Sequence, residues 1–283
     1  MTMDTSEQWT CPTCILLATT PHCPACGERK PHPHELSLLG MGKQALEAFT
    51  SYDSRLLRTF RHLLFHPGSL TLCYLNGSRK PYLGPFALFL LTNLLFVALE
   101  SLSGSNAFAS PLDRHLNEQP WSHYAQQLVD RHLADEGTTM HAYAPVFDQA
   151  VAANAKSFIV VMVLPLALLS ALVFAGNRLP FATHLTYSLH FHAFMLIVIS
   201  CSLLIAWLDT LIGGPGLRSQ LVDNSLAVFL LLVCALYLYL SAGTVYQTRG
   251  WMRTVKAIVL VLAAAGIFLG YRFLLLLFTL YTT

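Results

Sequence analysis

A chain of 283 residues with 54% hydrophobic and 11% charged side chains carries less than half the charge of an ordinary soluble domain, for which about 25% is usual. A net charge of +2 gives no basis for nucleic-acid binding by bulk electrostatics. The chain is polar and basic up to residue 80 and strongly apolar beyond it, so composition points to a multi-pass membrane protein with a small polar head.

The head comes first. Ile15 to Leu17 is too short for a signal-peptide core and acidic residues precede it, so the amino terminus is expected in the cytoplasm, where thiols stay reduced. Cys11, Cys14, Cys23 and Cys26 form two CxxC pairs with eight residues between them. Each pair can set two thiolates on one side of a tight turn, and two such turns facing each other make a tetrahedral four-sulfur site suited to structural Zn²⁺. Residues 1–34 are too few to bury a self-sufficient core, so bound zinc would supply the folding free energy of this ribbon. Iron on four thiolates and a redox dithiol are the competing readings. Cys73, Cys201 and Cys234 fall in or near apolar segments and read as packing residues.

Residues 35–81 form a neck. In SRLLRTFRHLLFHPG, residues 54–68, the side chains of Leu56, Leu57, Phe60, Leu63 and Leu64 share one helical face and Arg55, Arg58 and Arg61 turn to the other. This pattern predicts a helix in the membrane interface, its arginines toward anionic headgroups, ended by Pro67 and Gly68. A soluble helix packed on the ribbon is the alternative. His62 and His66 are four apart and share a face. With His184, His190 or His192 as a third ligand they could form a second metal or proton-handling site, against the plainer reading of hydrogen bonding at the interface and between helices.

Residues 82–283 read as an all-α membrane bundle of about five spans, at Leu83–Leu102, Ser157–Ala175, Leu189–Leu208, Ser225–Tyr246 and Val255–Phe278. With the head inside, Arg29, Lys30, Lys43, Arg55, Arg58, Arg61, Arg79, Lys80, Arg178, Arg249, Arg253 and Lys256 lie on the cytoplasmic side, and only Arg114, Arg131, Lys156 and Arg218 on the other. That bias predicts a positive-inside topology with the carboxyl terminus outside. The loop 103–156 is then external and acidic, with one amphipathic helix over residues 121–137, and His115, His123, His132 and His141 in it are expected to be solvated, a metal site being the alternative.

Arg272 falls inside the fifth span, where an unpaired arginine costs a few kcal/mol. Asp209 and Glu100 end other spans on the same side and are its expected partners, with snorkelling to headgroups the alternative. Gly266 and Gly270 form a GxxxG surface expected to pack within the bundle, a dimer contact being the alternative, and Pro165 is expected to kink the second span.

Within residues 53–93, Asp53, Arg58, Thr59, Pro67, Gly68, Tyr74, Gly77, Arg79, Tyr82 and Pro85 follow an order that, with the CPxC and CPxCGE ribbon before it and YSLHFHAF at residues 187–194, resembles a bacterial family of zinc-ribbon membrane proteins of unknown function. The resemblance implies the architecture and no reaction. Gly77 and Pro85 suggest a turning backbone, so residues 67–81 are read as a shallow interfacial loop with Arg79 and Lys80 at phosphates. HEXXH, GxSxG and nucleotide-binding glycine loops are absent, which weakens an enzymatic reading. The leading expectation is a bacterial inner-membrane protein handling a small solute or lipid, transporter or channel-like, with the ribbon as a cytoplasmic docking module. A scaffold or envelope sensor recruiting a protein through the ribbon, a homo-oligomer, and a histidine-dependent metalloenzyme are the alternatives.

Overall fold

The computed structural model describes residues 8–10, 16–21, 23–25, 55–76, 81–104, 106–214, 216 and 220–283. They fall into two compact units that divide after Arg55. In the first, β1 (Trp9–Thr10) pairs antiparallel with β2 (Leu17–Ala18), Trp9 opposite Ala18. Trp9, Ala18 and Cys23 are buried in one small cluster, and the Trp9 indole donates to the Thr20 carbonyl at 2.9 Å. Cys11, Cys14 and Cys26 lie outside the described residues, as do Arg79 and Lys80.

The second unit is helical. Residues 55–65 form α1, followed by α2 (Ser69–Leu75) and α3 (Pro85–Ser103). Next come α4 (Leu112–Asn117), α5 (Ser122–Glu136) and α6 (Met140–Phe158), which runs through a short 3-10 turn into α7 (Val163–Val173). Three long helices complete the chain: α8 (Phe181–Leu211), α9 (Gln220–Tyr246) and α10 (Gly250–Thr282). Five stretches are long and apolar enough to cross a bilayer: Pro85–Ser103, Met140–Val173, Phe181–Leu211, Asn224–Tyr246 and Gly250–Thr282. Their outward side chains, such as Leu94, Leu172, Leu232 and Leu262, are apolar and more than 60% exposed, a surface suited to acyl chains rather than water. The chain is therefore read as a five-span membrane protein. Alternation of the spans puts α1 and α2 on one side, here the neck side, and α4 and α5 on the other, the cap side.

The expected spans are all present, with two corrections nearby. The second span begins at Met140 rather than Ser157. Asp148, Asn154 and Lys156 made its first half look like loop, but that half is a helix supporting the cap: Asp148 accepts from the Leu112 amide at 2.8 Å at the start of α4, and Asn154 donates to Thr279 of α10 at 3.1 Å. In place of the interfacial loop expected over residues 67–81, α2 packs on α8 and α9 with Leu70 and Thr71 buried. Gly68 makes this approach feasible. Its φ is +84°, and a Cβ there would sit 2.9 Å from the Thr244 Cβ and 3.0 Å from the Ser241 carbonyl.

Pro165 lies just after a break in the regular helix. It has no N–H for the Val161 carbonyl, and the chain takes a 3-10 path over Ile159–Met162 just before it. The expected packing of GxxxG within the bundle fails among the described residues, because a Cβ on Gly266 or Gly270 would meet nothing within 4 Å. At the centre is α8, 61% buried along its apolar window against 17–33% for the other four spans. It packs on α3, α7, α9 and α2 and separates two apolar cores. The neck core includes Leu63, Leu70, Phe174, Tyr187, Tyr237 and Tyr246; the cap core includes Phe96, Phe108, Phe147, Leu196 and Tyr271.

Candidate functional site

The neck is fastened to the bundle by side-chain hydrogen bonds. The Thr59 hydroxyl of α1 is buried and accepts from the Leu83 amide at 3.0 Å, just before α3. His62 contacts both neighbours. The Ser69 hydroxyl gives its single proton to the His66 carbonyl at 2.7 Å, so in its 3.2 Å contact with His62 it must accept from Nδ1–H. The neutral ring then presents its Nε2 lone pair to the Tyr82 hydroxyl, 3.3 Å away. Burial, and then the charges of His66, Arg61 and Arg58, lower the His62 pKa and favour this neutral form. Arg55, Arg58 and Arg61 are exposed as expected. The apolar face is divided, however. Thr59 and Leu63 are buried against the bundle, whereas Leu57 and Phe65 are more than 70% exposed.

The histidines of α8 separate onto different partners. His190 Nδ1 and the Thr71 hydroxyl share a 2.8 Å hydrogen bond to α2, and His184 Nδ1 and the Tyr246 hydroxyl share one of 2.9 Å to α9. His192 Nδ1 must donate to the Ser188 carbonyl at 2.8 Å, since a carbonyl only accepts. Ser188 in turn donates to the Val163 carbonyl of α7 at 2.7 Å. Among the described residues no three His, Cys, Asp or Glu side chains are grouped to hold a metal ion. His62 and His66 are adjacent, with ring centroids 5.1 Å apart, but His62, His184 and His190 act as struts between elements, and His192 bonds within α8.

A cavity of about 790 Å³ lies between α7, α8, α9, α10 and the loop after α3. Its wall is mostly Leu, Ile, Met, Phe, Ala and Val, and its volume falls within the usual range for small-molecule sites. On α8 it runs from Phe191 to Leu203, roughly 18 Å at helical rise. His192 lies at the deep end, toward the neck; Asn106, Arg114 and Arg272 line the other end. Beside the cavity Phe194 stacks on Tyr237 at 4.0 Å, and below its deep end Tyr187 shares a 2.9 Å hydrogen bond with Ser241.

The carboxylates expected to meet Arg272 are engaged by backbone. Glu100 is buried and accepts from the Ala107 amide at 2.8 Å. Asp209 accepts from the Gly216 amide at 2.9 Å. By holding its loop, Glu100 sets Phe108 edge-on against Phe96, Phe268 and Tyr271 at the cap end of the cavity. The Arg272 guanidinium stands 4.7 Å over the Phe268 ring. Sequence reasoning treated Arg114 only as a stray outer cation and did not single out Asn106, Phe108 or Met195, because an apolar cavity wall reads like any other core face.

The cap also corrects one expectation. His115 is buried rather than solvated, against Phe147 and beneath Trp121, whose indole donates to its Nδ1 at 3.3 Å. Burial first, and then the charge of Arg272, lower its pKa to about 4. Its Nε2 is buried with no hydrogen-bond partner among the described residues.

The family described as "Protein of unknown function (DUF3667)" matches residues 53–97 of this chain, the stretch containing α1, α2 and the start of α3. No curated protein and no solved structure matches. The neck that fastens onto α8 is thus the part similar to a known family, and that family carries no assigned activity.

Proposed function

We propose that this is a lipid-handling membrane protein whose bundle shelters the tail of a membrane amphiphile. The cavity carries this reading: about 790 Å³, long, mostly apolar, and lined at one end by arginines. A path for ions or polar solutes would need polar walls along its length, so a lipid is favoured over a small solute. The excess of Lys and Arg on the neck side supports placing that side in the cytoplasm and the carboxyl terminus outside a bacterial inner membrane. Protein extracted in mild detergent should carry lipid, as read by native mass spectrometry. Ala235→Phe and Ala264→Phe, which fill the cavity, should remove it. An unchanged lipid load in folded variants would sink the proposal.

The ribbon is a separate module in this reading. It is proposed to bind structural Zn²⁺ through Cys11, Cys14, Cys23 and Cys26 and to dock a cytoplasmic protein. Support comes from the β1–β2 pair, whose connection contains CPTC, and from the burial of Cys23 beside Trp9. One zinc per chain, lost in Cys23→Ser, is expected by elemental analysis; iron or no metal would overturn it.

A further inference from the structure

Resting on the lipid-handling reading, we infer that the ligand is an apolar alcohol whose hydroxyl donates to Nε2 of His192 at the deep end of the cavity. The ring belongs to the cavity wall and is otherwise enclosed. His192 lines the cavity, is 3% exposed, and shares one stripe of α8 with Met195, Ile199 and Leu203, which line it too. Its depth makes a polar atom there expensive. α8 begins at Phe181, just after Arg178, and His192 is roughly 16 Å further along at helical rise. That is about halfway across a hydrocarbon layer of ~30 Å.

The backbone fixes where the ring holds its proton. Nδ1 is 2.8 Å from the Ser188 carbonyl, which only accepts, so Nδ1 carries the hydrogen. A charged ring would set a cation at mid-membrane in a mostly apolar wall, so the imidazole is neutral and Nε2 keeps a lone pair. The two ring nitrogens point roughly opposite ways. Ser188 is one turn back toward the neck, so the Nε2 lone pair points away from it, on toward Met195 and Ile199. The contacts of the ring with Ser188, the carbonyl and the hydroxyl at 3.4 Å, both use Nδ1. Ser202, the other polar residue of α8 in this wall, also gives its proton to its own helix, at the Val198 carbonyl 3.0 Å away. The α8 wall thus offers lone pairs, and a ligand must meet it with a donor. A ketone or ester would turn its own lone pairs against that of Nε2, whereas a hydroxyl supplies the hydrogen. An acceptor left unpaired this deep is costly, and that cost is what separates the two ligand chemistries.

The test uses the full chain in detergent, with 2-dodecanol and 2-dodecanone as competing probes against a pyrene-labelled alkane. The probes share a skeleton and differ in whether the oxygen carries a hydrogen. The preference for 2-dodecanol over 2-dodecanone is expected to fall about 10-fold in His192→Leu, the range of one buried hydrogen bond. Comparing the two proteins cancels unequal partition into micelles. His192→Gln, whose amide can donate, should narrow the preference by improving the ketone. A second readout needs no altered ring: in protein labelled with nitrogen-15 histidine, the unprotonated Nε2 of His192 should move upfield on adding 2-dodecanol and stay in place on adding 2-dodecanone. An unchanged preference in folded His192→Leu overturns the hydroxyl assignment and leaves lipid binding standing. An Nε2 resonance that ignores 2-dodecanol, or that already carries the proton, overturns it equally. Failure of the labelled alkane and of both probes to bind overturns the lipid reading itself.

Discussion

Along α8, residues 183–192 bury Thr183, His184, Thr186, Ser188, His190 and His192, with hydrogen bonds reaching α2, α7 and α9, whereas Met195, Ile199 and Leu203 further on face a cavity. The same helix thus serves a close-packed polar seam and an open apolar chamber. Hydrogen bonds are directional and an unsatisfied group is costly inside a membrane, so the seam demands one register between helices. Dispersion is short-ranged and non-directional. An apolar wall can therefore be left with a void at the cost of lost contacts alone, and in a membrane a lipid tail can restore them.

The sharpest way to break this contrast is to add one carbon at the packed neck and one on the open face of α10. Gly68→Ala puts a Cβ against Ser241 and Thr244 at a positive φ, and should destabilise the neck by about 3 kcal/mol or more in thermal unfolding in detergent. Gly270→Ala, where a Cβ meets nothing, should be neutral to stabilising, by up to about 1 kcal/mol, because alanine is the better helix former. A similar loss in both would erase the distinction.

Acid should separate the halves by a different route. The His115 pKa is depressed in the folded cap to about 4, so the unfolded chain binds the proton more readily. Stability is then complete above about pH 6.5 and falls as the pH drops toward 4, by about 3 kcal/mol if the whole shift is realised. The expected readout is faster hydrogen exchange in α4 and α5 at about pH 4.5 than at about pH 7.5, flattened by His115→Gln. An identical pH profile in that variant would remove His115 as the cause.

Within the seam, Thr71→Val leaves His190 Nδ1 without its partner and should cost about 1–2 kcal/mol. Adding His190→Leu should cost less than the sum of the two single changes. Strict additivity would mean that the 2.8 Å hydrogen bond contributes nothing specific. The smallest effect is expected in the chamber. Ala264→Leu at its wall should be neutral to slightly stabilising, whereas Ala242→Leu in the fully buried neck core should destabilise by about 1–3 kcal/mol in the same melts.

Much of this was legible from residue order. Twenty-residue apolar runs announce spans because a bilayer imposes their length, and Gly137 announces the end of α5, where it caps the helix at φ +63°. The approach of α2 to α8 was not legible. Ser69–Leu75 is a short, mildly apolar segment, and nothing local says that Gly68 will meet Ser241. His115 misled for the same reason, since its neighbours in sequence, Arg114 and Leu116, do not reveal that Phe147 and Trp121 enclose it.

The sequence by itself determined the membrane character, the five spans, the amphipathic neck and the presence of a thiol-rich head, because each follows from composition or spacing over a few turns of chain. Only the tertiary structure decided that the histidines part company onto separate helices and that Arg114 and Arg272, distant in the chain, line one end of a shared cavity. The physical reason is that a void and its charged end are properties of several helices at once. No one helix carries a periodicity that encodes the space between them.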